Sequence, residues 1–112
     1  MDQVEKSGRR VCPVIEHAFS LLGKKWTGLI VHVLAPGTRR FSEMLLEIPE
    51  LSPRLLTQRL KELESEGIVA RKVMPVSPVR VEYSLTEKGC SLIPIMQNVA
   101  DWAYAWYEKK QT

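Results

Sequence analysis

The hydrophobic repeat of this chain changes period at Gly67 and returns to helical spacing after Leu85, and these changes limit the folds open to it. Before Gly67, apolar residues recur at helical spacing. Beyond it, Val79, Val81, Tyr83 and Leu85 alternate with Arg80, Glu82 and Ser84, the period-two pattern of a half-buried strand. A chain of 112 residues has room for one core. Helices and a hairpin must therefore share it.

The punctuation of the chain divides it further. Cys12-Pro13 opens a helix, because proline at the first helical position lacks only an N–H that would have no partner there. Ile15, Ala18, Phe19 and Leu22 form its apolar stripe, and Gly23 ends it. A second helix is expected from about Lys24 to Ala35, with Trp26, Leu29, Ile30, Val33 and Leu34 on one side. Pro36-Gly37-Thr38 stops it. Arg39-Arg40-Phe41 is a scrap of strand. Ser42 looks like the N-cap of a short third helix carrying Met44, Leu45 and Ile48, with Phe41 stapling its start. Pro49-Glu50-Leu51 breaks that helix, and Ser52-Pro53, cap then proline, starts the next. Leu55, Leu56, Leu60 and Leu63 are its apolar side, and Gly67 closes it. Ile68 to Met74 and Val79 to Leu85 read as a hairpin around a turn at Pro75 to Pro78. Thr86 then caps a long last helix to about Lys109, which Pro94 should kink.

The expected fold is mainly α with a small β-hairpin: a winged helix-turn-helix made of helices, a two-stranded wing and a long C-terminal dimerisation helix over residues 86–110. Residues 1–11 are expected to be a loose arm, and residues 12–112 a single domain. No apolar run approaches the ~18 residues that a spanning helix needs. Met1 to Cys12 is polar and charged, without a secretory apolar stretch, so a cytoplasmic location and no membrane association are expected. Cys12 and Cys90 stand 78 positions apart, neither a disulfide framework nor a zinc-ligand spacing. No metal and no cofactor are expected.

Charge points to a partner. The net charge is +3. Residues 52–80 carry Arg54, Arg59, Lys61, Arg71, Lys72 and Arg80 against Glu62, Glu64 and Glu66, so this segment holds the whole surplus. At ~100° per residue, the leucines of the helix from Ser52 fall on one side, with Arg54, Thr57, Gln58 and Lys61 opposite. Arg can fork to guanine, Gln to adenine, and Thr can touch the thymine methyl, while Lys takes phosphate. No acid occurs between Ser52 and Lys61, as a phosphate-facing tip requires. The bland alternative is a solvated amphipathic helix, and the hairpin directly downstream weighs against it. Arg59 projects toward the leucine side and is expected to bridge to Glu43 or Glu47. Arg39, Arg40 and Arg80 are candidate phosphate contacts, with solvated charge as the equal alternative.

These residues, in this order, resemble the HxlR family of bacterial winged-helix transcription regulators. The matching pieces are Cys12-Pro13-Val14, Leu22-Gly23-Lys24-Lys25-Trp26, Arg39-Arg40-Phe41-Ser42-Glu43-Met44 and the run from Leu51 to Leu63. They continue through Gly67-Ile68-Val69, Arg71, Pro78 to Thr86, and Gly89. One small departure is a single Gly23 before Lys24, where the family has a glycine pair. The resemblance implies a homodimer on a palindromic operator in double-stranded DNA, with the reading helix at Ser52–Glu66 and the wing tip at 74–80. It also implies that some relatives sense electrophiles or oxidants through a cysteine placed where Cys12 stands. Local chemistry supports Cys12, since a helix N-terminus favours a thiolate and Arg9 and Arg10 lie just upstream. The alternative is a small apolar residue under a dimer contact. Cys90 is expected to be buried and structural.

The last helix carries more apolar surface than so small a monomer can cover. Leu92, Met96, Val99, Ala103 and Trp106 form one stripe, which Ile95 and Trp102 widen. Together with Ile15 of the first helix, Leu92, Met96, Val99, Trp102 and Trp106 are the expected dimer face. An enzyme is not expected, because there is no glycine-rich phosphate loop and no His paired with a nucleophile. The competing reading is a winged-helix interaction module without specific DNA binding, against which the acid-free tip speaks.

Overall fold

The computed structural model describes residues 10–108. The expected arm, including Arg9, and the helix end at Lys109 lie wholly or largely outside the described residues. Helices α1 (Pro13–Leu22), α2 (Thr27–Leu34), α3 (Phe41–Glu47) and α4 (Pro53–Ser65) come first, with strand β1 (Arg39–Arg40) between α2 and α3. Strands β2 (Val69–Met74) and β3 (Arg80–Leu85) follow, then α5 (Glu87–Cys90) and α6 (Ile93–Tyr107). The strands form one antiparallel sheet in the order β1-β3-β2, so the hairpin gains a third strand. Arg71 lies opposite Tyr83 in the hairpin, and Arg39 and Arg40 lie opposite Tyr83 and Glu82.

The core lies between α2, α3, α4 and the base of the hairpin. Ile30, Val31, Leu34, Met44, Leu56, Leu60, Leu63 and Ile68 are buried in it. Each such side chain gains about 1.5–3 kcal/mol from leaving water. The Ser52 hydroxyl accepts the Leu55 N–H at 3.1 Å, and Pro53 occupies the first turn of α4. Gly67, at φ +75°, takes the left-handed turn that ends α4. There the Ile68 N–H reaches the Leu63 carbonyl and the Gly67 N–H that of Glu64, the paired closure of a Schellman motif. Thr86 caps α5 through the Gly89 N–H at 3.0 Å.

Four sequence expectations are corrected. The second helix begins at Thr27, because Lys24 and Lys25 form a turn and Trp26 takes a left-handed backbone at φ 82°. Arg40, not Ser42, caps α3, and the Glu43 carboxylate accepts the Arg40 N–H at 2.7 Å. The long last helix is two helices. Pro94 has no N–H to donate and its ring would strike the Cys90 carbonyl, so the helix stops at Cys90 and restarts with Pro94 in its first turn. Cys90 is exposed rather than buried. The inward position of α5 is Gly89, where a Cβ would collide with the Ile68 carbonyl oxygen; this seats the helix against the sheet and turns Cys90 outward.

Helices α1 and α6 bury no residue fully in this chain. Leu21, Leu92 and Met96 lean on the core from their inner sides. The radius of gyration is 17.0 Å, where about 13 Å is usual for a compact domain near 100 residues. No helix among the described residues is long and apolar enough to cross a membrane.

Candidate nucleic-acid interface

Helices α3 and α4, joined by the turn at 48–52, form a helix-turn-helix beside the hairpin. Burial of Leu56, Leu60 and Leu63 fixes how α4 is rotated. Arg54 and Gln58 then point farthest from the core and are exposed. Thr57 and Lys61, also exposed, stand on the flank of α4 turned toward the sheet, and line a recess with Arg71 and Tyr83. Ser52 spends its hydroxyl on the cap.

The other flank of α4 faces the turn before α2, and Arg59 sits there. Its Nε donates to the Lys25 carbonyl at 3.0 Å, and its Nη1 lies 3.4 Å from Glu62. The expected bridge to Glu43 or Glu47 does not form, because both acids are engaged elsewhere. Glu43 accepts the Arg40 N–H at the start of α3, and Glu47 accepts from Arg39 Nε at 2.8 Å. The sequence held no sign of the Lys25 contact, since a main-chain carbonyl has no residue signature. The Arg59–Glu62 spacing was visible as an i,i+3 pair.

The same contacts draw acids away from the tip of α4. Glu62 also pairs with Lys24 at 3.3 Å, and Glu66 with His17 at 3.2 Å, both in the C-terminal half of the helix or just past it. From Pro53 to Lys61 the helix carries Arg54, Arg59 and Lys61 and no acid. Arg39 is bound to Glu47 and only 24% exposed in its side chain. Arg40 is exposed and shares a recess of about 520 Å³ with Ser42 and the wing residues Val76 to Val81. Arg80 opens onto that recess and lies 3.6 Å from Glu82.

Cys12 is half-buried at the N-terminus of α1, with its carbonyl accepting the Glu16 N–H at 3.0 Å. Arg10 is exposed nearby in sequence. Of the residues expected at a dimer face, Ile15, Val99, Trp102 and Trp106 are exposed, with Trp106 at 67%. Leu92 and Met96 are half-buried against this chain's own core. Phe19 is 72% exposed and belongs to the same unpartnered surface. Among the described residues, no group of three or more His, Cys, Asp or Glu side chains gathers to hold a metal ion.

A helix-turn-helix whose second helix has an acid-free N-terminal half, with an adjoining basic wing, defines a DNA-binding transcriptional regulator of the winged-helix class. Comparison with known proteins places the chain within that class. Residues 21–111 match the HxlR-like helix-turn-helix family, and the chain belongs to it. The HTH-type transcriptional regulator YodB of Bacillus subtilis is 50% identical over 105 residues, which span 94% of each protein. The reduced form of YodB superimposes with a TM-score of 0.78 at 50% identity, covering 89% of this chain and 98% of that one. Its quinone-bound form gives 0.73 at 47% identity, with 85% and 100% covered. The redox regulator HypR in its oxidized form gives 0.79 at 40% identity, covering 84% of this chain and 96% of the other.

Proposed function

We propose that this regulator acts as a homodimer that sets two copies of α4 into successive major grooves of a palindromic operator, and that Cys12 makes its hold on DNA responsive to electrophiles. The observation that carries this reading is the exposed, acid-free N-terminal half of α4, with Glu62 and Glu66 tied to Lys24, Arg59 and His17 behind it. Arg54 and Gln58 read base edges, and Thr57 and Lys61 meet the backbone. Arg40 and Arg80 take phosphates beside the wing. Arg39, held by Glu47, positions β1 and α3 rather than touching DNA.

The dimer is supported by α1 and α6, which leave Phe19, Val99, Trp102 and Trp106 in water in a single chain. A two-fold axis through that surface spaces the reading helices about 34 Å apart, one turn of duplex. Cys12 stands at the edge of the same surface. Its sulfur adds to a ring carbon of a quinone, and the ring takes up the thiol proton to become a hydroquinone thioether. No further oxidant is required. The bulk gained there shifts the two reading heads relative to each other. The quinone-bound form of YodB supports a small electrophile as the signal.

Light scattering on the purified protein, followed by fluorescence anisotropy with a 30-bp duplex, tests the reading. Two chains per particle and two chains per duplex are expected. A monomer, or no binding even in dilute buffer, contradicts it.

A further inference from the structure

The recess between α4 and the sheet encloses about 360 Å³ and is lined by Thr57, Leu60, Lys61 and Glu64 of α4, Arg71 of β2 and Tyr83 of β3. On α4 these residues fall at i, i+3, i+4 and i+7, so Thr57, Lys61 and Glu64 form one shoulder around the buried Leu60. Arg71 and Tyr83 are cross-strand partners and present their side chains on one sheet face, the face that Val69 and Leu85 share. The recess therefore brings together four hydrogen-bond donors: two hydroxyls, an ammonium and a guanidinium. Among the described residues, none of these four side chains has a hydrogen-bond partner, and neither cation has a carboxylate within 4.0 Å. Glu64 is the one acid on the wall.

We infer that this recess is a binding site for a single DNA phosphodiester, held by Arg71 and Lys61 with the Thr57 and Tyr83 hydroxyls. The inference rests on the proposed placement of α4 in the major groove and the wing at the neighbouring groove. The strand of backbone that divides two adjacent grooves has to pass between the elements that occupy them. The space between α4 and the hairpin is this recess. Arg71 offers a planar fork suited to two phosphate oxygens, and Lys61 a point charge across from it. A phosphate held here fixes how deeply α4 lies in its groove but carries no base information. Arg71 is thus a positioning residue for the base contacts of Arg54 and Gln58.

Lys72 provides an internal control, because it is the next residue of β2 and faces the other side of the sheet. Arg71→Gln and Lys72→Gln remove the same charge from adjacent positions. Binding of the full-length protein to a mixed-sequence 30-bp duplex is measured by anisotropy from 50 to 200 mM KCl. Because it removes one cation from the phosphate contact in each subunit of a dimer, Arg71→Gln is expected to lower the slope of log K against log salt by roughly 2 and to weaken binding roughly tenfold or more. Lys72→Gln should keep the wild-type slope. Tyr83→Phe should weaken binding a few-fold with the slope unchanged, since it removes a donor without a charge. If Arg71→Gln proves unfolded by circular dichroism, Lys61→Gln replaces it with the same expected slope. Equal slopes for the recess variant and Lys72→Gln overturn the inference while leaving the DNA-binding reading intact. Failure of the wild-type chain to bind any duplex removes both.

Discussion

Arg59 Nε donates to the main-chain carbonyl of Lys25 at 3.0 Å, across 34 positions of sequence. This contact fastens the reading helix to the turn that precedes α2. The next residue, Trp26, holds a left-handed backbone that side chains of its size rarely adopt. Lys24 closes the link from the other side through Glu62. The pitch of α4 against the core is therefore set by side chains on a different flank of the helix from the exposed Arg54 and Gln58.

Removing that fastening should cost stability. The Arg59 side chain is 14% exposed, so Arg59→Ala removes its packing together with its bonds to the Lys25 carbonyl and to Glu62. A loss of about 1–3 kcal/mol is expected. For a domain of this size each kcal/mol lowers the melting temperature by roughly 4–8 °C. Thermal unfolding followed by circular dichroism checks this, and an unchanged midpoint would show that the contact contributes nothing.

Base recognition should be separable from general affinity. Arg54→Ala and Gln58→Ala are each expected to cost about 1–3 kcal/mol on the preferred duplex and much less on a scrambled one. Competition anisotropy with both duplexes measures the difference. Equal losses on the two would move these residues from base edges to the backbone.

Assembly should depend on the outer sides of α1 and α6. Phe19→Asp and Trp106→Asp alter side chains that are 72% and 67% exposed in the single chain. Each is expected to give folded monomers by sedimentation velocity, with near-native circular dichroism. Persistence of a dimer in both variants would place the subunit contact on another face.

The thiol response should belong to one cysteine. Cys12→Ser is expected to bind DNA normally and to keep that affinity after treatment with a quinone, whereas the parent protein and Cys90→Ser lose it. Anisotropy before and after treatment, with intact mass to locate the adduct, decides this. A response that survives in Cys12→Ser takes Cys12 out of the mechanism.

Much of the site was legible in the sequence because its signals are local. Ser52 and Thr86 cap their helices as their positions imply, and Leu56, Leu60 and Leu63 orient α4 through a simple periodic stripe. What could not be read depends on contacts distant in sequence. The partner of Arg59 is a peptide carbonyl, and no residue type marks one. Glu43 and Glu47 are plausible partners by charge, but each sits closer to another donor in the folded chain. The exposure of Cys90 follows from the seating of its neighbour Gly89 on Ile68. Pro94 announced a disturbance, yet whether a proline kinks a helix or divides it depends on what the preceding turn packs against. Here Ser91 and Leu92 form the break.

Selection of bound sequences from a library of random duplexes tests the pairing of two reading helices most directly. Repeated rounds with the purified protein at physiological salt are expected to return an inverted repeat whose half-site centres lie about 10–10.5 bp apart. Recovery of a single asymmetric element, or of no enriched sequence, would contradict two copies of α4 working in adjacent turns.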